Sequence, residues 1–73
     1  MAIVQAKRDK RFGFEAGFSV KAERVHDVQY GWQYVMTESQ ARLLGMREIH
    51  IEQSHEMFCD GYIRVHENHL IEV

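Results

Sequence analysis

Two stretches of this chain alternate strictly between apolar and polar residues, and this alternation constrains the fold more than any other feature. From Phe12 to Ala22 (FGFEAGFSVKA), every second residue is Phe, Ala or Val. From Val28 to Met36 (VQYGWQYVM), every second residue is Val, Tyr, Trp or Met. A period of two is the side-chain period of a β-strand, so both stretches are predicted to be strands with one buried face.

The two predicted strands can pair as an antiparallel hairpin because their apolar residues have the same parity. A loop at Val25–Asp27 puts both apolar rows on one face. This register places small or branched side chains opposite large rings, in the pairs Ala22 with Tyr30, Val20 with Trp32 and Phe18 with Tyr34. Since the other face carries mainly glycine, glutamine, serine and charged residues, we expect the aromatic face to form the core and Trp32→Ala to unfold the protein.

A short helix is predicted directly after the second strand. Thr37 and Gln40 have the spacing of a capping box, and Gly45 is suited to a left-handed C-cap. We expect this helix near residues 38–46 and expect it to cover the aromatic face.

The last third of the chain is predicted to return to strands. Ile49 and Ile51 alternate with polar neighbours, and Asp60-Gly61 is a favoured pair for a two-residue hairpin turn. Such a turn would place His55 opposite His66. The final residues, LIEV, could then close the sheet.

These elements predict a single α+β domain over residues 1–73. The expected architecture is a small, mostly antiparallel sheet of about five strands in the order β-β-α-β-β-β, with one short helix packed on its aromatic face. A chain of 73 residues buries only about 60% of its unfolded surface, so we expect a thin core.

Charge is divided unevenly along the chain. Residues 1–24 contain six Lys and Arg against three Asp and Glu, whereas residues 48–73 contain six Asp and Glu against one Arg. The net charge is −2. Because nucleic-acid-binding domains usually carry a net positive charge, this balance does not favour nucleic acid as the main partner.

Cysteine content and hydropathy indicate a cytoplasmic protein. The single cysteine, Cys59, excludes an internal disulfide bond. No apolar run approaches the roughly 18 residues of a membrane helix, and the first ten residues lack the apolar region of a secretion signal. We expect no membrane partner.

The segment KRFGFEAGF partly resembles the RNP1 motif of RRM domains and the aromatic strand of cold-shock proteins. Lys10, Phe12, Gly13 and Phe14 match, whereas Arg11, Glu15 and Gly17 depart from the pattern. The resemblance implies single-stranded nucleic-acid binding, with bases stacked on the aromatic rings. The opposing interpretation is that these rings are core residues, since the helix can cover only the aromatic face.

Histidine and cysteine residues are concentrated in the acidic third of the chain, where they raise the question of zinc or nucleophilic chemistry. On one strand, Cys59 would lie roughly 13 Å from His55, too far to share a metal with the predicted His55–His66 pair or to form a catalytic pair. We therefore expect no metal, no cofactor and no enzymatic activity.

The segment TESQARLLGMREIHI resembles the opening of a helix-turn-helix motif, with a capped helix and then a candidate second helix. This resemblance implies DNA binding. Two features oppose it: Ile49 and Ile51 alternate as in a strand, and the last third of the chain is acidic.

The function expected from these features is that of a small non-enzymatic regulator or inhibitor that binds a protein and acts by steric occlusion. The chain is similar in size and style to small bacteriophage and accessory-element proteins, including anti-CRISPR and other host-takeover inhibitors. Binding would use the acidic strands after the helix or the basic N-terminal edge. The candidate binding residues are Lys7, Arg8, Lys10, Arg11, Phe12 and Phe14. The alternative is single-stranded nucleic-acid binding through residues 7–14, and a second copy of the chain is a further candidate partner.

Overall fold

The computed structural model describes residues 2–7 and 18–73, which form a five-stranded antiparallel sheet and two α-helices. In chain order these are β1 (Ala2–Ala6), β2 (Ser19–Asp27), β3 (Gly31–Met36), α1 (Glu38–Leu43), α2 (Glu48–Phe58), β4 (Ile63–His66) and β5 (Leu70–Glu72). The predicted α+β class and antiparallel sheet are confirmed. The predicted order β-β-α-β-β-β is wrong, because β1 precedes the predicted strands and a second helix replaces one of the later ones.

The connection between β4 and β5 curls the sheet. The strands lie in the order β4-β3-β2-β1-β5, so β4 and β5 are its opposite edges. In a flat sheet these edges would be roughly 19 Å apart, at about 4.8 Å per strand. Only the 3-10 turn Glu67–His69 joins them, and such a turn advances about 2 Å per residue. The sheet must therefore curve until its two edges approach each other.

In the hairpin of β2 and β3, even-numbered residues lie opposite even-numbered residues, as predicted, but the register differs from the predicted one. Arg24 lies opposite Tyr34 and His26 lies opposite Trp32. The predicted loop Val25–Asp27 is therefore wrong, since these residues form the end of β2 and the turn follows at residues 28–30.

Asp27 explains the position of this turn. Its carboxylate accepts hydrogen bonds from the amides of Gln29 (2.8 Å) and Tyr30 (3.0 Å), and this closes the chain just after β2. Gly31 then enters β3 with φ 81°, a left-handed conformation that glycine adopts without steric cost.

The predicted helix after β3 is confirmed as α1, and both of its ends have the expected caps. Thr37 Oγ1 accepts from the amide of Gln40, while Gln40 Oε1 accepts from the amide of Thr37. At the other end Gly45 has φ 94° and its amide donates to Arg42 (2.9 Å), and the amide of Met46 donates to Ala41 (3.1 Å). These two bonds form a Schellman cap, which stops the helix after two turns.

Residues 48–58 form α2, so the predicted strand through Ile49 and Ile51 is wrong. Ile51 and Ser54 are buried and Phe58 is half-buried, a spacing of three and four residues that puts them on one side of a helix. Ser54 Oγ accepts from the backbone amide of Arg64 in β4 (3.4 Å). The brief alternation at Ile49 does not indicate a strand, because Ile49 points outward from α2 and is 58% exposed.

The end of α2 also corrects the predicted second hairpin. Cys59 takes a left-handed conformation (φ 54°) as the C-cap, and Asp60-Gly61 connects the helix to β4. His55 is therefore helical and does not lie opposite His66. α2 occupies the segment in which the helix-turn-helix interpretation placed a second helix. The final residues close the sheet as predicted, with β5 paired to β1.

Buried side chains from all five strands and from both helical segments form one core, but most of the described aromatic rings lie outside it. The core consists of Val4, Ala6, Val20, Ala22, Tyr34, Met36, Ala41, Leu44, Ile51, Ile63, Val65 and Leu70. Tyr34 is only 5% exposed, whereas Trp32 is 39% and Phe18 is 54% exposed. The expectation of an aromatic core is thus not met at Trp32 and Phe18. The register places Trp32 next to the β2–β3 turn, at the end of the sheet.

We expect Trp32→Ala to leave the protein folded, in place of the unfolding predicted from the sequence. Loss of an exposed cation–π contact and part of the ring's burial costs about 1–2 kcal/mol. Ile63→Ala removes a fully buried side chain and should cost about 2–5 kcal/mol. Chemical denaturation of both variants measures the difference, and equal losses of unfolding free energy would contradict the assigned packing.

Candidate functional site

Most of the binding residues predicted from the sequence lie outside the described part of the chain. Lys7 is exposed, and its backbone amide donates to the carbonyl of His69 (2.9 Å), which ties the end of β1 to the 3-10 turn. Arg8, Lys10, Arg11, Phe12 and Phe14 fall outside residues 2–7 and 18–73. The site formed by residues 7–14 therefore stays a prediction.

An exposed aromatic cluster lies at the end of the β2–β3 hairpin; we call Arg24, His26, Trp32 and Glu67 the Trp32 patch. The guanidinium carbon of Arg24 lies 4.1 Å from the centroid of the Trp32 ring, and His26 contacts that ring edge-on at 4.9 Å. Arg24 also pairs with Glu67 (3.2 Å). This hydrogen bond raises the pKa of Arg24. Because Arg24 covers one ring face, a base stacking on that face would have to displace it.

The outward side of α2 is acidic. Glu48, Glu52 and Glu56 follow one another at intervals of four residues, so they form a row along the helix with about 6 Å between steps. Arg42 donates to Glu48 (2.6 Å), and this bond lowers the pKa of Glu48. Ile49 stands exposed beside Glu52 and Glu56. We call Ile49, Glu52, Gln53 and Glu56 the α2 outer face.

A cleft of about 320 Å³ separates the end of α2 from the sheet; we call it the α2 cleft. Its lining residues are Tyr30, Gln33, Met46, Met57, Phe58, Arg64, Val65, His66 and His69. Most of these side chains are aromatic or apolar, and a few are polar, which is the composition typical of ligand and side-chain pockets. The volume is near the lower limit of small-molecule sites, about 300 Å³, and fits a single ring system.

Two polar atoms of the cleft residues are buried without a hydrogen-bond partner in the described part of the chain. Gln33 is 5% exposed, and its Oε1 has no hydrogen-bond partner among the residues that the structure describes. The same holds for Nε of Arg64. An unpaired buried acceptor costs about 1–3 kcal/mol, so Gln33 is an unusual choice for this position. His66 Nδ1 accepts from the amide of Asn68 (3.1 Å), which leaves the proton of the neutral ring on Nε2.

Arg64, one of the residues that line the cleft, is stacked on an aromatic ring and paired with a carboxylate. Arg64 lies over the Phe58 ring (4.7 Å) and donates to Asp60 (2.8 Å), and Tyr30 packs edge-on against Phe58 (5.9 Å). The hydrogen bond from Arg64 lowers the pKa of Asp60, with help from the Tyr62 amide. Asp27 is held ionised by the turn amides, and the charge of Arg64 adds to this effect.

A second, larger hollow of about 500 Å³ lies beside the start of α1, and the charged residues Lys21 and Glu23 are among those that line it. Thr37 and Gln40 line it, and they hydrogen-bond each other in the capping box.

His66 and His69 line the α2 cleft together, whereas His55 and Cys59 are not among its lining residues. His55 Nε2 contacts Glu38 Oε1 and so joins α2 to α1, while Cys59 is an exposed free thiol. Within the described ranges no group of three or more His, Cys, Asp or Glu side chains is placed to hold a metal ion.

The cleft residues were missed at the sequence level because they depend on α2. A signal was available: Ile51, Ser54, His55 and Phe58 recur at intervals of three and four, the spacing of a helix face. Ile49 and Ile51 obscured it, since two isoleucines two residues apart also fit a strand.

Comparison with known proteins adds no family or fold relationship. No protein-family model, no curated protein and no solved structure matches the chain. No helix in residues 2–7 and 18–73 is both long and apolar enough to cross a membrane.

Asp27 should make stability depend on pH. Its pKa lies below the ordinary 3.8, so its carboxylate stabilises the folded state fully above about pH 4, and this contribution is lost as pH falls through the lower folded-state value. We expect Asp27→Ala to lower the melting temperature at pH 7, with the difference from the unmodified protein shrinking between about pH 4 and pH 2. Thermal unfolding followed by circular dichroism measures this difference.

Asp27→Asn provides the matched control, because it keeps the carbonyl oxygen of the turn but loses the charge. It should be more stable than Asp27→Ala at pH 7. A melting-temperature difference for Asp27→Ala that stays constant down to pH 2 would contradict the role of the charge.

Proposed function

We propose that this protein is a small non-enzymatic regulator or inhibitor that binds another protein and covers one of that protein's working surfaces. The observation that carries the proposal is the α2 outer face, where the exposed side chain of Ile49 is followed by Glu52 about one turn later and by Glu56 about two turns later. An apolar centre with charged neighbours is the usual composition of a protein-binding patch. The acidic surface expected on strands is here provided by a helix.

The charge of α2 specifies the kind of partner. Glu52 and Glu56 are exposed and make no ion pair within the described part of the chain, so their charges are available to an incoming surface. A row of carboxylates at regular steps attracts a basic surface, such as one that normally contacts nucleic-acid phosphates. Occupation of that surface by α2 would exclude the nucleic acid, which is inhibition by steric occlusion. The same acidity argues against α2 entering DNA as the second helix of a helix-turn-helix.

The proposed cellular setting is the cytoplasm. Cys59 is an exposed free thiol, and exposed thiols persist in reducing compartments. The small size and divided charge remain similar in style to bacteriophage and accessory-element inhibitors, including anti-CRISPR proteins, and we propose that type of role for this chain.

Charge reversal on α2 tests the proposal. The double variant Glu52→Lys/Glu56→Lys should bind the partner about tenfold more weakly or worse, because it turns attraction into repulsion. The matched control is Glu23→Lys/Glu72→Lys, which makes the same change in net charge at two exposed strand positions. Affinity capture from the native host with all three proteins identifies partners retained by the unmodified protein and the control but lost by the α2 variant.

A partner found in this way should also lose its nucleic acid. Addition of the unmodified protein should lower the fluorescence anisotropy of a labelled oligonucleotide bound to the purified partner. Equal loss of capture in both double variants would reduce the effect to net charge, and retention in both would exclude the α2 outer face.

Single-stranded nucleic-acid binding is the second candidate. The exposure of Phe18 and Trp32 favours it, because rings left outside the core are available for stacking. Lys7, Arg8, Lys10 and Arg11 would contact phosphates, and Phe12 and Phe14 would stack on bases. The net charge of −2 and the Arg24 side chain over Trp32 oppose this function.

A salt titration against a labelled single-stranded oligonucleotide separates the two candidates. We expect no binding at micromolar protein and physiological salt. Micromolar or tighter binding that weakens steeply as salt is raised would instead establish the nucleic-acid function and displace the first proposal.

A further inference from the structure

We propose that the second half of β2 binds an extended segment of another protein, which adds to the sheet as a further strand and carries acidic side chains at alternate positions. The residues concerned are Arg24, Val25, His26 and Asp27, which we call the β2 edge. The proposal concerns β2, whereas the proposed occlusion concerns the α2 outer face, so the two can hold or fail separately.

β2 is longer than the strand beside it on one side. β1 pairs with β2 only from Ser19 to Ala22, whereas β3 pairs with it from Glu23 to Asp27. Within the described residues, no strand lies on the β1 side of the β2 edge. This half of β2 therefore has a neighbour on one side only, and a strand with one free side is a template for pairing with another chain.

The hydrogen-bonding groups on the free side belong to Arg24 and His26. The amide of Val73 donates to the carbonyl of Ile3 (2.9 Å), so the odd-numbered residues of β1 face β5 and the even-numbered ones face β2. Because bonding groups alternate along an antiparallel pair, the even-numbered residues of β2 direct their N–H and C=O groups toward β1. Beyond the last residue of β1, Arg24 and His26 direct theirs to the free side. Both residues are exposed, and no backbone hydrogen bond joins these groups to another described residue.

An added strand would lie in line with β1 and antiparallel to β2. Four of its residues would span the β2 edge, a length of about 13 Å. The two residues opposite Arg24 and His26 would exchange up to four backbone hydrogen bonds with them. Their side chains would lie on the face of the sheet that carries the Arg24 and His26 side chains.

The charge on this face favours acidic side chains in the added strand. The guanidinium of Arg24 is held there by the Trp32 ring (4.1 Å) and by Glu67 (3.2 Å). A guanidinium has five N–H donors, so Glu67 does not use all of them. Among the even-numbered residues of β2 and β3, which share this face, none is a carboxylic acid. Since opposite charges across a strand pair are stabilising, carboxylates opposite Arg24 and His26 complement the β2 edge.

Charge also argues against a second copy of this chain as the added strand. If two β2 edges paired so that Arg24 and His26 used their free groups, Glu23 of each copy would lie opposite Asp27 of the other. Like charges directly opposite each other are destabilising. The added strand is therefore assigned to a different protein.

Two acetylated and amidated peptides test the charge preference: Thr-Glu-Val-Glu-Thr and Thr-Lys-Val-Lys-Thr. Each is titrated into the ¹⁵N-labelled protein, with NMR of the backbone amides as the measurement. The glutamate peptide should shift the amides of Arg24 and His26 and, near saturation, slow their hydrogen exchange about tenfold. The exchange of the Val25 amide, which already faces β3, should stay unchanged and serves as an internal control. The lysine peptide should bind about tenfold more weakly.

Two N-methylated forms of the glutamate peptide test the backbone pairing separately from charge. Methylation of both glutamate nitrogens removes the N–H groups that would donate to Arg24 and His26, and it should weaken binding about tenfold or more. Methylation of the valine nitrogen is the matched control. It should change the affinity by less than about twofold, because that N–H points away from β2.

A charge variant of the protein tests the role of Arg24. Arg24→Glu should abolish the preference for the glutamate peptide over the lysine peptide. Lys21→Glu makes the same change in charge on the other face of β2 and should keep the preference. If Arg24→Glu does not fold, the peptide comparisons on the unmodified protein still decide the point.

Several results would overturn the inference: equal affinity for the glutamate and lysine peptides, equal affinity for the two N-methylated peptides, or unchanged hydrogen exchange at Arg24 and His26. Slower exchange at these two amides on raising the protein concentration, without any peptide, would identify a second copy as the occupant and would also overturn it.

Discussion

The short turn from Glu67 to His69 is the constraint on which the rest of the structure depends. It joins the two edge strands of a five-stranded sheet, so the sheet must curl. Where β1 and β2 pair, the buried face is correspondingly filled by small side chains, as at Val4 and Val20. The rings of Trp32 and Phe18 lie outside the core and are exposed.

The contacts between α2 and the sheet lie at one edge of the sheet. α2 lies close to the edge strand β4, and Ser54 binds the Arg64 amide directly. This leaves one side of the helix buried, one side acidic and exposed, and a cleft between its last turn and the sheet. A thin core thus coexists with two adjacent surfaces of different chemistry, an acidic helix face and a largely apolar cleft.

Local patterns predicted some elements well and others poorly, for identifiable reasons. The α1 caps were predictable because Thr37, Gln40 and Gly45 act within a few residues of one another. The β2–β3 register was not predictable, because every shift of one strand by an even number of residues keeps both apolar rows on one face. The turn formed by Asp27 selects one of these registers. α2 was mistaken for a strand since Ile49 and Ile51 fit both periods. The α2 cleft could not be predicted at all, because its walls come from segments far apart in the chain.

The sequence by itself determined the α+β class, the parity of the central hairpin, the caps of α1 and the division of charge, since each depends on neighbouring residues or on composition. Only the tertiary structure decided which rings are buried. Tyr34 and Trp32 lie two residues apart on one face of β3, and nothing local distinguishes them. The curl of the sheet and the position of the turn cover Tyr34 and leave Trp32 exposed, because burial depends on what packs above a residue as well as on the face it occupies.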